Sequence, residues 1–222
     1  MKLHIFNPEH DIALAANQER FTAPHAGRRL RTDLGFIPAF WASEGDMVLV
    51  DDVEAAIEAR RHLSKFGKDV VFVTYADLKA FAFEDVESFQ VDPWGWDRTI
   101  KEQLLRANSN LQSFMPSDDT LAAIREMSSR RFAAEHLLPL LREAGEEKTV
   151  GEARYCTTME KVKLTMAQNG KSVLKSPWSS SGRGVRYVET AAPDAHLEGW
   201  AAKVVKRQGG IMVEPLDNKV YD

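Results

Sequence analysis

Apolar residues in the first part of the chain fall in short unbroken runs, Leu3–Phe6, Met47–Val50 and Val70–Val73, each cut off by polar or turn-forming residues. Runs this short read as buried strands rather than helices. The first ends abruptly at Asn7-Pro8, and Ile12–Asn17 beyond it is expected to be helical. Between the second and third runs, Val53–Leu63 has Val53, Ala56, Ile57 and Arg60 on one face. Asp51 or Asp52 can cap it and Phe66-Gly67 stops it, so a helix is predicted there. Strand, helix and strand in that order make a parallel βαβ unit. Val70–Val73 is β-branched and continuous, which predicts burial on both faces.

The middle of the chain is less regular. Asp92–Asp97 reads as a loop whose Asp97 caps a helix from Arg98 to Arg106. Ser117 caps another, with Asp118 and Asp119 in its positive first turn. A further helix is expected from Ser129 toward Leu138, where Pro139 ends or kinks it. The pattern sharpens in the last third. Met159–Gln168 is a helix closed by Asn169-Gly170. Ser172–Lys175 and Val185–Val188 are strands flanking the small-residue loop Ser176–Gly184. Asp194 caps a helix in which Leu197, Trp200, Ala201, Val204 and Val205 form an apolar stripe. Gly209-Gly210 ends that helix and Ile211–Glu214 is the next strand. Asp217-Asn218 is a turn signal, and Val220-Tyr221-Asp222 reads as the start of another strand; a frayed C-terminal tail is the plain reading, and a piece of a longer protein the sharper one.

Composition narrows the class. The 222 residues are 44% hydrophobic and 28% charged, the proportions of a folded globular chain. A net charge of −4 and no long basic run argue against nucleic acid as a partner. No apolar stretch approaches the ~20 residues of a membrane span, and the N-terminal apolar run is too short for a signal peptide. With Cys156 the single cysteine, no internal disulfide is possible. A cytoplasmic protein acting on small molecules, away from membranes, is expected.

The candidate chemistry lies around Lys175. It ends an apolar strand and directly precedes Ser176-Pro177-Trp178-Ser179-Ser180-Ser181-Gly182-Arg183-Gly184. Small residues leave backbone N–H groups free to close on phosphate oxygens, and a neighbouring lysine adds a point charge for the same oxygens. Arg183 is a possible second cation. The loop matches neither the P-loop nor the dinucleotide fingerprint, and an ordinary flexible hairpin loop is the plain alternative.

The ordered set from about Ser128 to Asp222 resembles the ATP-grasp superfamily. It comprises a strand with terminal lysine, a Ser/Gly loop, a strand, an amphipathic helix and a strand ending in Glu214-Pro215. The resemblance implies an α/β chain, with a Rossmann-like parallel-sheet domain at 1–116, a helical linker at 117–148 and a small α+β lid lobe at 149–222. It implies that Lys175 contacts the phosphates of ATP and that Ser179, Ser180, Ser181, Gly182, Arg183 and Gly184 form the lid. Arg130, in Ser128-Ser129-Arg130-Arg131-Phe132, would be the linker cation that reaches the phosphates; a solvated helix face is the alternative. Glu214 would accept from the adenine amino group, with Pro215 and Leu216 as hinge backbone. Such enzymes join a carboxylate to an amine or thiol through an acyl phosphate. Their Mg2+ ligands lie beyond the hinge, so no metal ligand is assigned in this chain. Serines where many members carry glycine, and arginine where lysine is common, leave a second reading: a non-catalytic nucleotide-binding or scaffold module.

Asn7, Glu9, His10 and Asp11 stand where a first strand ends, the edge at which open parallel sheets bind ligands, and are candidate substrate-binding residues. A turn satisfied by its own side chains is the alternative. His10 and His25 lack partners at metal-ligand spacing. Cys156 reads as a buried thiol, Trp94 and Trp96 as packing residues, and Ser181-Gly182 lacks the nucleophile elbow.

Overall fold

A computed structural model describes residues 1–62, 68–83, 88–146, 151–179 and 182–217. The chain is α/β and divides into two units, Met1–Ile124 and Arg125–Asp222.

The first unit is built on a parallel four-stranded sheet of order β3-β2-β1-β4. β1 is Lys2–Ile5, followed by helices α1 (His10–Ala16) and α2 (His25–Leu34) and a 3-10 turn at Ile37–Phe40. β2 (Met47–Leu49), α3 (Val53–His62) and β3 (Val71–Val73) form the expected βαβ unit, with β2 and β3 paired in parallel. α4 (Tyr75–Ala80), β4 (Gln90–Pro93), α5 (Arg98–Ala107) and a second 3-10 turn, Ser109–Phe114, complete it. Val48 and Val50 pack with Phe36, Ala39 and Ala56 on one face. Leu3, Ile5, Met47 and Leu49 pack with Leu78, Ile100 and Leu104 on the other. The 3-10 turn and α3 thus cover one face, and α4 and α5, after β3, cover the other. The strand order reverses between β1 and β4, which makes the carboxyl ends of those two strands a topological switch point.

Three features depart from the sequence expectations. β3 is an edge strand and Val71 is 54% exposed, so Val70–Val73 is not buried on both faces. β4 occupies residues expected to begin a loop; it pairs register-for-register with β1, and its Pro93 is tolerated because an edge strand does not need every N–H. α2 buries no residue, so no apolar stripe marks it in the sequence. α4 and β5 (below) are likewise too short to leave a periodic signal.

In the second unit, α6 (Asp118–Met127), which straddles the boundary, leads to α7 (Arg130–Phe132), a π-helical stretch at Ala133–Leu137, and α8 (Leu138–Glu143). Ser129 caps α7, its Oγ accepting from Phe132 N–H. Pro139 falls in the first turn of α8. It does not end the helical run, which continues to Glu143, but it directly follows the π-helical stretch Ala133–Leu137, where the regular i→i−4 ladder is already interrupted.

β5 (Arg154–Cys156), α9 (Met159–Asn169), β6 (Ser172–Lys175), β7 (Val185–Val188), α10 (Ala195–Gln208) and β8 (Ile211–Pro215) then build an antiparallel sheet of order β5-β8-β6-β7. Thr158 caps α9 and Asp194 caps α10. Leu174, Ile211, Val213, Cys156 and Val188 face α9 and α10, packing with Val162, Met166, Leu197, Ala201 and Val204. Among the described residues no helix is long and apolar enough to cross a membrane.

Candidate functional site

The strand register fixes what the face of the antiparallel sheet opposite α9 and α10 presents. Val173 pairs with Glu214 and Lys175 with Met212. Residues directly opposite in a ladder point to the same side, so Val173, Lys175, Met212 and Glu214 share a face. Lys175 Nζ reaches Glu214 Oε2 at 2.5 Å, with the two side chains 30% and 24% exposed. The lysine and the glutamate, 39 residues apart, are thus brought together at the end of β6.

The loop after Lys175 closes at its base. Ser176 N–H donates to Gly184 O at 2.8 Å. Gly184 abuts Ser179 so tightly that a Cβ there would lie 2.2 Å from Ser179 Oγ. Gly182 adopts φ +70°, a conformation that favours glycine. Arg183 is exposed. Ser180 and Ser181, the centre of the expected lid, lie outside the described residues, as do Asn218 and the strand expected from Val220.

Arg130 is not a solvated surface residue. Its Nη1 donates to Ser176 O at 2.6 Å and to Ser179 Oγ at 2.8 Å, and its Nη2 donates to Ser179 O at 3.0 Å. Its own N–H donates to Pro177 O. One guanidinium therefore brackets the first half of the loop. Trp178, buried in the same segment, donates from Nε1 to Arg125 O at 2.9 Å and lies under the Arg125 guanidinium at 3.7 Å. Gln208 Oε1 accepts from Trp178 N–H. Sequence reasoning missed Trp178 and Gln208; a tryptophan within a run of small polar residues is the signal that marks the first. Pro215 and Leu216 are half-buried, and Leu216 N–H donates to Lys171 O.

In the first unit, Asn7–Asp11 is held by distant partners, so a turn satisfied by its own side chains is not what forms. Asn7 Nδ2 donates to Gly95 O at 2.8 Å while its Oδ1 accepts from Gly95 N–H at 3.3 Å. This clamps the loop after β1 to the loop after β4, across the switch point. His10 Nδ1 lies 3.0 Å from Asp97 Oδ2. Asp97 Oδ1 meanwhile accepts from Ile100 N–H as the cap of α5. A carboxylate only accepts, so Nδ1 is the donor in this contact. A Cβ at Gly95 would lie 2.2–2.5 Å from the His10 ring, so ring and glycine fix one another. Asp11 stands in the first turn of α1.

Glu9 Oε1 accepts from Arg31 Nη1 at 2.9 Å. Burial pushes the Glu9 carboxyl above its ordinary value; Arg31 opposes this, and Asp97 and Asp51 reinforce it. Burial likewise pushes the Tyr75 hydroxyl up to about 12, with the same Arg31, Asp51, Glu9 and Asp97 within electrostatic reach. Tyr75 OH donates to Gln103 Oε1 at 3.1 Å. Arg31, Tyr75 and Gln103 were not foreseen, and Asp97 was foreseen only as a helix cap; they come from α2, α4 and α5 and are assembled only by the topology. Trp96 packs on the core, whereas Trp94 is 61% exposed and contacts Phe6 and Trp41 by its ring. Among the described residues no three His, Cys, Asp or Glu side chains converge to hold a metal ion.

No protein-family profile and no curated protein matches the chain. A solved structure, the RimK domain ATP-grasp protein from Sphaerobacter thermophilus DSM 20745, is similar at 22% identity and a TM-score of 0.37, over 80% of this chain. The similarity spans 65% of that protein's length.

Proposed function

We propose that this chain is the nucleotide-binding part of an ATP-dependent ligase of the ATP-grasp type, one that joins a carboxylate to an amine or thiol through an acyl phosphate. The observation that carries this is the grouping of Lys175, Glu214 and the Arg130-braced loop at the end of β6, one of the two central strands. In such a site Lys175 neutralises phosphate charge, and backbone N–H groups of Ser179–Gly184, with Arg183, close on the same oxygens. Glu214 accepts from the adenine amino group beside Pro215 and Leu216. Arg130 sets the loop's shape and is a positioning residue. The Lys175–Glu214 pair is partly solvated, and such pairs are worth about 1 kcal/mol or less. Nucleotide therefore displaces it at small cost, phosphate taking the lysine and adenine the glutamate. Mg2+ accompanies ATP in this chemistry and is given no ligand here. The loop Asn7, Glu9, His10 and Asp11 serves the substrate side.

The test is Mg-ATP affinity by calorimetry. Lys175→Ala is expected to weaken binding by tenfold or more, while Lys171→Ala, on the same strand's approach and paired with exposed Glu189, leaves it unchanged. Equal affinity of Lys175→Ala and the parent chain removes the assignment. Binding without turnover in the complete gene product favours the non-catalytic module instead.

A further inference from the structure

The helical run from Arg130 to Glu143, through α7, the π-helical stretch and α8, is continuous and buries none of its residues. Arg130, Ala134 and Leu138, four apart, are half-buried and form the line turned toward the rest of the second unit. A second line is exposed along its whole length: Ala133, Leu137, Leu140, Leu141 and, just past the last turn, Ala144. Its leucines are 47%, 60% and 49% exposed. Single surface leucines need no explanation. Five apolar residues at i, i+4, i+7, i+8 and i+11 are the stripe by which a helix packs on a partner.

The spacing of that stripe points to the partner. Ala133, Leu137, Leu140 and Ala144 follow at steps of four, three and four, the seam of a two-helix coil. Those steps are the same read from either end. A second copy laid antiparallel, with its Leu140 level with Leu137, therefore also brings its Ala144 level with Ala133. Leucine meets leucine at the centre, and alanine meets alanine at both ends. The charges beside the seam agree with this direction. His136 and Glu143 are both exposed. The antiparallel register sets His136 beside the partner's Glu143, twice by symmetry. A parallel pair would set each Glu143 against the other, which is repulsive. The helix dipoles are also opposed only in the antiparallel pair.

We infer that this stripe is a dimerisation surface, on which a second copy of the chain seats the same run, antiparallel and in that register. The contact is isologous, so it closes at two copies. Its reach sets its strength. A run of this length spans about 20 Å. A contact confined to it falls below the ~1,200 Å² at which standard interfaces begin. The dimer is therefore reversible, with a dissociation constant in the micromolar range. Neither nucleotide binding nor the substrate role of the Asn7–Asp11 loop enters this inference.

Sedimentation equilibrium of the whole chain across the micromolar range tests it. The mass is expected to rise with concentration from one chain toward two and no further. Leu140→Asp is expected to weaken association at least tenfold. Leu164→Asp, which alters a leucine of α9 that is 61% exposed, leaves association unchanged. Glu143→Lys weakens association, and adding His136→Glu to it restores much of the loss. Disulfide trapping checks the register. A Leu137→Cys chain mixed with a Leu140→Cys chain is expected to cross-link faster than either with itself, while Cys156, buried, stays out of reach. A chain that remains monomeric at every concentration overturns the surface, as does association that Leu140→Asp leaves intact or that Leu164→Asp weakens equally. Faster cross-linking of either cysteine chain with itself overturns the antiparallel register. The mass of the unaltered chain decides the first point even if a variant fails to fold.

Discussion

At the residue scale, close approach rather than charge decides several positions. Gly95 is the sharpest case. The His10 ring lies against its Cα, with ring atoms 2.2–2.5 Å from where a Cβ would stand. Neither partner yields easily. Asn7 bonds the Gly95 peptide in both directions, and Asp97 holds the imidazole by Nδ1. Gly95→Ala is therefore expected to destabilise the first unit by about 1–3 kcal/mol, the usual cost of overpacking. Urea denaturation measures it. Gly95→Ala combined with His10→Ala recovers much of the loss, because the clash disappears with the ring. A double mutant no more stable than Gly95→Ala would place the strain elsewhere. Nothing in the string Trp94-Gly95-Trp96 announces this contact, since it joins residues 85 apart in a chain of 222.

At the scale of elements, what the sequence makes legible is whatever repeats. The stripe of α10 and the caps Asp97, Ser117 and Asp194 leave periodic or positional marks, and those elements form where expected. β4 and α2 leave none. The one is an edge strand with a single buried residue, and the other buries nothing, so each is defined by its partners. The loop after Lys175 is intermediate. Its small residues are visible in the sequence, but the bracket that shapes it is an arginine 46 residues upstream of Ser176. Removing that bracket tests whether the loop is preorganised. Arg130→Ala is expected to speed amide exchange across Ser176–Ser179 and to leave Lys2–Ile5 in the first unit unchanged. Arg130→Lys does not restore protection, because an ammonium cannot present the two nitrogens that Ser176 O and Ser179 O receive. Unchanged exchange in Arg130→Ala would mean that Trp178, anchored through Arg125 and Gln208, suffices by itself.

At the scale of the molecule, each unit has a core built from its own residues. The α/β class and the parallel βαβ start follow from apolar runs alone. The site in the first unit does not, because a switch point is a property of strand order and no local pattern encodes it. That unit also carries two carboxyls displaced in opposite directions, which shapes its stability against pH. Burial raises the Asp46 carboxyl, but hydrogen bonds from His4, Lys2 N–H and Ser43 N–H outweigh it and hold the group below its ordinary value of 3.8. His4 is itself buried between Asp46 and Asp92, at 3.0 Å from each, although only the Asp46 contact is aligned as a hydrogen bond. A depressed carboxyl makes the unfolded chain bind protons more readily, so Asp46 stabilises the fold above 3.8 and loses that contribution as pH falls through its folded value. Glu9 has the opposite sign. With its folded value raised above 4.5, it costs stability progressively as pH rises from 4.5 through that value. Exposed Asp77 and Asp118 are depressed as well and share the acid limb, so the informative quantity is the difference between variants. Urea midpoints followed by tryptophan fluorescence across this range should show a shallower acid limb for Asp46→Asn. Glu9→Gln should flatten the fall on the upper side. If Asp46→Asn parallels the parent curve, the His4–Asp46 contact contributes nothing that protonation can remove.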